Sequence, residues 1–227
     1  MSIRNLITEK LILSLEDLIT GNSIRKHLDF MLASQWWSRE QIDEYQNIRL
    51  RMLIDHSVTT VPYYSELFNS LGLTSKDIKS KEDLHKIPIL SKVEINKCGI
   101  DKFISTNYPK NKIVSVSSSG STGEPLYYYE TKDSYSMNIA ANLRGWYWMG
   151  YKLGDKYIKL SQNPRDKIIK RIQDKLSNNL YLATNPLVDV NFNFLLNEIE
   201  YYRPKVIRCY PDPLLFIARY KKEHHEF

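Results

Sequence analysis

The run Lys112-Ile113-Val114-Ser115-Val116-Ser117-Ser118-Ser119-Gly120-Ser121-Thr122-Gly123-Glu124-Pro125-Leu126-Tyr127-Tyr128-Tyr129 changes the pattern of the whole chain. Its β-branched and aromatic flanks predict strands over 112–116 and 126–129, joined by a loop of small residues. Gly120 and Gly123 let the backbone turn and approach a ligand closely. Consecutive backbone N–H groups between them can point into one concavity, and the hydroxyls of Ser118, Ser119, Ser121 and Thr122 add donors, an arrangement suited to an anion such as phosphate. A Walker-type loop is excluded, because it needs a Lys after the second glycine at a spacing this chain lacks. A flexible linker fits poorly with strands so close on both sides. On residues alone, a phosphate cradle and a plain hairpin loop both stay open.

Upstream of this run the periodicity is helical. Ser38 with Gln41 forms the signature of a capping box and opens a helix expected to reach about His56. Ile42, Tyr45, Ile48, Met52 and Leu53 recur at helical spacing and are expected to dock. Pro62 breaks the pattern, a short helix follows from Tyr64 to Leu71, and Gly72 ends it. Short turns capped by Ser80 and Ser91 lead towards the strand run. Downstream, a helix from about Ser134 to Met149 with Asp133 as its cap precedes a strand at Tyr157 to Leu160. Helix at 163–175, strand at 181–183, helix at 191–202, strand at 206–209 and helix at 213–222 complete the alternation. Strands alternating with helices give an α/β class, with the boundary near 109–111.

Composition narrows the function classes. With 227 residues, 42% hydrophobic and 26% charged, the chain is an ordinary globular one. Its 32 basic and 26 acidic residues leave a net charge of +6. They are mixed along the chain without the basic-aromatic runs of nucleic-acid readers, so no nucleic-acid partner is expected. The two cysteines, Cys98 and Cys209, lie far apart without metal-ligand spacing, which points to a reduced, cytoplasmic protein and no metal site. Charges interrupt the aliphatic N-terminus, so it is neither a signal peptide nor a membrane span. Ile3, Leu6, Ile7 and Leu11 share a helix face, read as core packing rather than a membrane-surface anchor.

The run S-S-G-S-T-G-E-P at 118–125 resembles the phosphate-binding signature of adenylate-forming enzymes, [ST]-[ST]-G-[ST]-[ST]-G-x-P. The segments H-S-V-T-T-V-P-Y-Y-S-E-L-F at 56–68 and D-I-K-S-K-E-D-L-H-K-I-P-I-L-S-K at 77–92 are similar to the region before that loop in phenylacetate-CoA ligases and capsular polysaccharide proteins of the CapK type. G-D-K-Y at 154–157 and R-P-K-V-I-R-C-Y-P-D-P at 203–213 continue the likeness in order. The resemblance implies an N-terminal part of such a ligase: a helix-rich region over 1–110, then part of a layered α/β AMP-binding domain over 111–227, with the phosphate loop at 117–125 and the C-terminal lid absent. It implies ATP and Mg²⁺ as cofactors, a small carboxylate as substrate, and coenzyme A as acceptor in the full-length family. Two positions depart from the pattern. Leu126 stands where many relatives have Lys, a change read as lineage, and Cys209 stands where relatives commonly have Gly.

Site expectations follow from both readings. Ser118, Ser119, Gly120, Ser121, Thr122 and Gly123 are the candidates for ATP, and Tyr210 and Pro211, at a strand end, are candidates for substrate contact. No catalytic residue is assigned. His56 lacks a carboxylate or nucleophile at a suggestive spacing, and Trp146, Tyr147 and Trp148 point in different directions on a helix, so they read as core. Of Tyr127, Tyr128 and Tyr129, at least one reads as a core or cross-strand residue. The family's downstream Tyr-Gly-x-[ST]-Glu segment, ribose-binding Asp and lid Lys are not found, so a chain without adenylation activity of its own is expected. The alternative is a non-enzymatic nucleotide-binding or protein-interaction remnant, a pseudoenzyme or half of a split enzyme. Self-association or a complementing C-terminal half is expected as well, from an open sheet edge at Val206 to Cys209 and partial exposure of Phe192, Leu195, Leu196, Leu214 and Phe216.

Overall fold

The structure is a computed structural model, which describes residues 2–118, 125–161, 168–183 and 191–224. In chain order the elements are α1 (Ile3–Ile7), a π-helical turn (Thr8–Ile12), α2 (Leu13–Thr20), α3 (Ile24–Ser34), α4 (Arg39–Thr60), α5 (Pro62–Ser70), α6 (Lys92–Cys98), β1 (Ile113–Ser117), β2 (Tyr127–Thr131), α7 (Lys132–Trp148), β3 (Tyr157–Ser161), α8 (Ile168–Leu176), β4 (Asn179–Ala183), α9 (Phe192–Tyr202), β5 (Val206–Arg208) and α10 (Pro211–His224), with short 3₁₀ turns between α5 and β1. Spatially the chain forms two compact units, one of residues 26–141 and one of residues 1–25 with 142–227. The helices and small sheets are those of an α/β protein.

In the unit of residues 26–141, α4 starts at the capping box: Gln41 N–H donates to Ser38 Oγ at 3.3 Å, and Ser38 N–H donates to Gln41 Oε1 at 2.9 Å. Pro62 then occupies the first position of α5, where its missing N–H costs no hydrogen bond. The docked face of α4 differs from the expected one. Leu50, Ile54 and Val58, one turn apart, pack on Phe68 and Ile78, while Ile48, Met52 and Leu53 are exposed. Tyr45 does pack, in an aromatic cluster with Phe30 and Trp37. Helix α6 is held by Tyr63, whose hydroxyl donates to Glu94 Oε1 at 2.8 Å and whose ring lies 4.4 Å from that of Phe103. Asp133, expected as a cap, lies inside the first turn of α7, where its Oδ1 is 2.8 Å from Nε2 of buried His27.

The other unit is built on a three-stranded parallel sheet of order β4-β3-β5, with Ile158 level with Leu180 and Ile207. Alternation along β3 buries Ile158 and Leu160, which pack with Leu182, Leu195, Leu196 and Ile217 beneath α9 and α10. Leu195 and Leu196 are thus buried, contrary to the expected exposure, whereas Leu214 and Phe216 remain partly exposed. Trp146 lies edge-on to buried Tyr151, with Tyr157 alongside.

The N-terminal helix overturns the core reading. Ile3, Leu6, Ile7 and Leu11 are exposed, and the side facing the rest of its unit is mostly polar: Asn5, Thr8, Glu9 and Asp17 are buried, with Leu13 among them. Asn5 Nδ2 donates to Leu153 O at 2.9 Å and to Asp155 Oδ1 at 2.8 Å. Tyr147 donates its hydroxyl to Glu9 Oε2 at 2.5 Å. Burial raises the Asp155 carboxyl, but Lys205, Asn5 and the Lys152 N–H together bring it below its ordinary value. Gly154 approaches this helix so closely, at φ +92°, that a Cβ there would sit 2.7 Å from Thr8 Oγ1.

Candidate functional site

The candidate phosphate loop hangs from an antiparallel hairpin. β1 and β2 pair in register from Ile113 opposite Thr131 to Ser117 opposite Tyr127. One residue further, Ser118 N–H donates to Leu126 O at 2.9 Å, and Leu126 N–H donates to Ser118 Oγ at 2.8 Å. The two ends of the loop are therefore clamped together, and 119–125 is the segment between them. Of the candidates, Ser118 is described, and its oxygen is used as an acceptor to close the hairpin. Ser119, Gly120, Ser121, Thr122 and Gly123 lie outside the described residues.

Around the hairpin root the strands offer two faces. Tyr127 joins Pro125, Ile95, Asn96 and Ile100 around a cavity of about 410 Å³, directly beside the exit of the loop. A second cavity of about 320 Å³ gathers His56, Phe103, Ser105, Tyr108, Tyr128 and Tyr129. None of Tyr127, Tyr128 and Tyr129 is a core residue; each is more than a third exposed, and Tyr128 is the cross-strand partner of Val116. His56 has Thr60 as its side-chain partner, Nε2 to Oγ1 at 3.3 Å, and Ser105 Oγ donates to the same Thr60 oxygen at 2.9 Å. Those contacts dock residues 105–106 onto the end of α4, where Thr106 N–H also donates to Thr60 O.

Helix α6 brings Ile95 and Asn96 to the first cavity, and the partly buried Tyr63–Glu94 hydrogen bond seats that helix. Burial, reinforced by the Glu94 carboxylate, pushes the Tyr63 phenol up to about 12, so it remains a protonated donor at neutral pH. Sequence reasoning missed Ile95, Asn96 and Ile100, because a lining residue is defined by what packs opposite it. The one available signal was Ser91, whose Oγ accepts from Glu94 N–H at 3.1 Å and so sets the start of α6.

Tyr210 and Pro211 belong to the other unit. Tyr210 is largely exposed just past the end of β5, and Pro211 begins α10. They sit at the carboxyl edge of the parallel sheet, the edge at which open α/β sheets gather ligands. The side chain of Cys209 packs against the core cluster of Ile158 and Leu196, and burial raises its thiol pKa. The Cys209 side chain is thus accommodated inwards. Beside it, the Arg208 guanidinium lies 5.2 Å from the Trp146 ring centre. Among the described residues no three His, Cys, Asp or Glu side chains converge to hold a metal ion.

No family model matches the chain. Curated relatives do: the chain is 25% identical over 186 residues to Protein CapK of Staphylococcus aureus, covering 78% of this chain and 40% of that protein. It is 25% identical over 166 residues to the phenylacetate-coenzyme A ligase of Aromatoleum evansii, covering 60% of this chain and 37% of that protein. A third, the phenylacetate-coenzyme A ligase of Thermus thermophilus, is 30% identical over 96 residues, covering 42% of this chain and 21% of that protein. The chain thus spans about two fifths of the length of the first two. Among solved structures, 2-hydroxyisobutyryl-CoA ligase with 2-HIB-AMP and CoA superimposes with TM-scores of 0.61 and 0.62 at 14% and 15% identity, over 82% of this chain and 44% and 40% of those chains. At that identity the superposition speaks for the fold. By sequence and by fold together, the chain is related to the phenylacetate-CoA ligase and CapK type of the adenylate-forming superfamily.

Proposed function

We propose that this chain supplies the nucleotide-phosphate cradle of an ATP-dependent carboxylate-activating ligase, with Ser118, Ser119, Gly120, Ser121, Thr122 and Gly123 as the cradle. The observation that carries this reading is the hairpin clamp. Ser118 and Leu126 hold the loop ends together, so a segment of two glycines and small hydroxyl residues is presented from a fixed root. Fixing the root lowers the entropy cost of ordering the loop around an anion. The relatedness to CapK and phenylacetate-coenzyme A ligases supports the same assignment.

In the complete reaction a carboxylate attacks the α-phosphorus of ATP, forming an acyl-adenylate and releasing pyrophosphate, and the thiol of coenzyme A then takes the acyl group, losing its proton and releasing AMP. The contribution of this chain is electrostatic: donors aimed at phosphate oxygens stabilise charge that builds on them in the transition state. Tyr210 and Pro211 are the candidates for contact with the carboxylate or the adenine. Mg²⁺ finds no cluster of three ligands among the described residues, so no step is drawn through it. The sequence carries no Tyr-Gly-x-[ST]-Glu segment. We accordingly assign the chain nucleotide binding in the cytoplasm without adenylation on its own, and a surface-polysaccharide role by similarity to CapK.

Calorimetric titration with ATP tests the proposal. Wild-type protein is expected to bind, and Gly120→Val or Gly123→Val to weaken binding by roughly tenfold or more, since a β-branched residue resists positive φ and fills the phosphate space. Unchanged affinity in both variants, with the fold intact, would remove the loop from the site. Release of pyrophosphate by the purified chain, dependent on ATP and a carboxylic acid and lost in Gly120→Val, would show that it completes adenylation unaided.

A further inference from the structure

In the unit of residues 1–25 and 142–227, two neighbouring helices bury their polar sides and turn their apolar sides out. Along α1, the π-turn and α2 the buried positions are Asn5 and Thr8, each 4% exposed, Glu9 and Asp17, with Leu13 the one apolar residue among them. Ile3 is 80% exposed, and Leu11, Leu15, Leu18 and Ile19 are all more than half exposed. Helix α8 repeats the inversion. Its Asp174 is buried against Asn179, accepting from Nδ2 at 2.6 Å, while Ile168, Ile172 and Leu176, one turn apart, are 73%, 54% and 50% exposed. The two helices are tied together where Gln173 Nε2 donates to Glu16 Oε1 at 3.0 Å, next in sequence to Ile172 and Leu15 respectively. Helices of soluble domains turn such a stripe inwards, and an exposed apolar face of this extent marks an interaction surface.

Charge identifies the partner. Residues 1–25 and 142–227 hold 18 Lys and Arg against 12 Asp and Glu, whereas residues 26–141 hold 14 of each. The whole net charge of +6 therefore belongs to the unit that bears the apolar face. Arg171 and Lys175 border the stripe on α8, and Arg4 and Lys10 border the one on the N-terminal helix. A second copy docking through this face would bring like charge to like charge. An anionic lipid surface would not, and apolar stripes with basic margins are the pattern of helices that lie in the headgroup plane. No described helix is long and apolar enough to cross a membrane.

We infer that this face docks on an anionic lipid bilayer, with α2 and α8 lying in its surface. This reading does not depend on the nucleotide proposal. Co-sedimentation of the 227-residue chain with vesicles tests it. Vesicles of phosphatidylcholine with phosphatidylglycerol are expected to bind it, and vesicles of phosphatidylcholine alone to bind it far less. Lys10→Glu with Lys175→Glu is expected to weaken binding by about fivefold or more per position. Leu15→Ser with Ile172→Ser, which leaves every charge in place, is expected to weaken it by roughly tenfold or more. Absent binding to the anionic vesicles with a native circular dichroism spectrum overturns the inference. So does equal binding by the Leu15→Ser, Ile172→Ser variant, which would reduce the attraction to charge alone. Light scattering that shows a lipid-free dimer, converted by the same variant to monomer, would also overturn it by assigning the face to a second copy.

Discussion

Replacing Gly154 with Ala isolates the contact that seats the N-terminal helix. Gly154 holds φ +92°, and a Cβ built there meets Thr8 Oγ1 at 2.7 Å, Thr8 Cβ at 3.2 Å and the Arg4 carbonyl oxygen at 3.3 Å. Two costs combine. An L-residue forced to positive φ pays about 1–2 kcal/mol, and inserting a methyl against a buried neighbour adds roughly 1–3 kcal/mol. Thr8 is nearly fully buried and its hydroxyl has no hydrogen-bond partner among the described residues, so it lacks room to retreat and no bond to them is lost by removing it. Gly154→Ala is expected to lower unfolding free energy by about 2–5 kcal/mol on these figures. Thr8→Ala alone is expected to be near neutral, because it removes an unpaired buried hydroxyl. The double variant recovers part of the loss, with a coupling of at least about 0.5 kcal/mol, since the nearest clashing atom is gone. Urea unfolding followed by circular dichroism measures all three. Strict additivity would refute the packing argument and leave backbone strain as the entire effect.

Other outcomes follow from the hairpin and from α6. Ser118→Ala removes the acceptor for Leu126 N–H and is expected to cost about 1 kcal/mol in urea unfolding and to weaken ATP binding several-fold in the same calorimetric titration. Tyr63→Phe is expected to cost about 1 kcal/mol at pH 8 by breaking the bond to Glu94. Because the folded state raises the Tyr63 phenol from 10.0 to about 12, its contribution is complete below pH 10 and is lost as pH rises through 12. Urea midpoints at pH 8, 10 and 11 should therefore fall more steeply for wild type than for Tyr63→Phe, and parallel declines would contradict the assignment.

Features that rest on neighbouring residues were legible in the sequence. The capping box at Ser38 and Gln41, the break at Pro62 and the strand pair around 118–125 each depend on local backbone chemistry. The direction in which an amphipathic helix docks was not legible. Periodicity shows that Ile3, Ile7 and Leu11 share a side, but the burial of the opposite side depends on Leu153, Asp155 and Tyr147, about 140–150 residues away. The same holds for α4, where Leu50, Ile54 and Val58 dock because Phe68 and Ile78 lie against them. Of the candidate site, the loop and its small residues were readable. The clamp between Ser118 and Leu126 needed the strand register, and the cavity of Ile95, Asn96 and Ile100 beside Pro125 needed the seating of α6 on Tyr63. The likeness at Gly154 now has a physical reason in its approach to Thr8.

Phosphate binding by the hairpin loop is open to direct observation in a crystal structure of the chain grown with ATP. Phosphate oxygens are expected at about 2.7–3.2 Å from backbone N–H groups within 118–123, with the Ser118–Leu126 clamp preserved. A structure with the hairpin intact, nucleotide bound elsewhere on the chain and no anion within reach of Gly120 or Gly123 would contradict it.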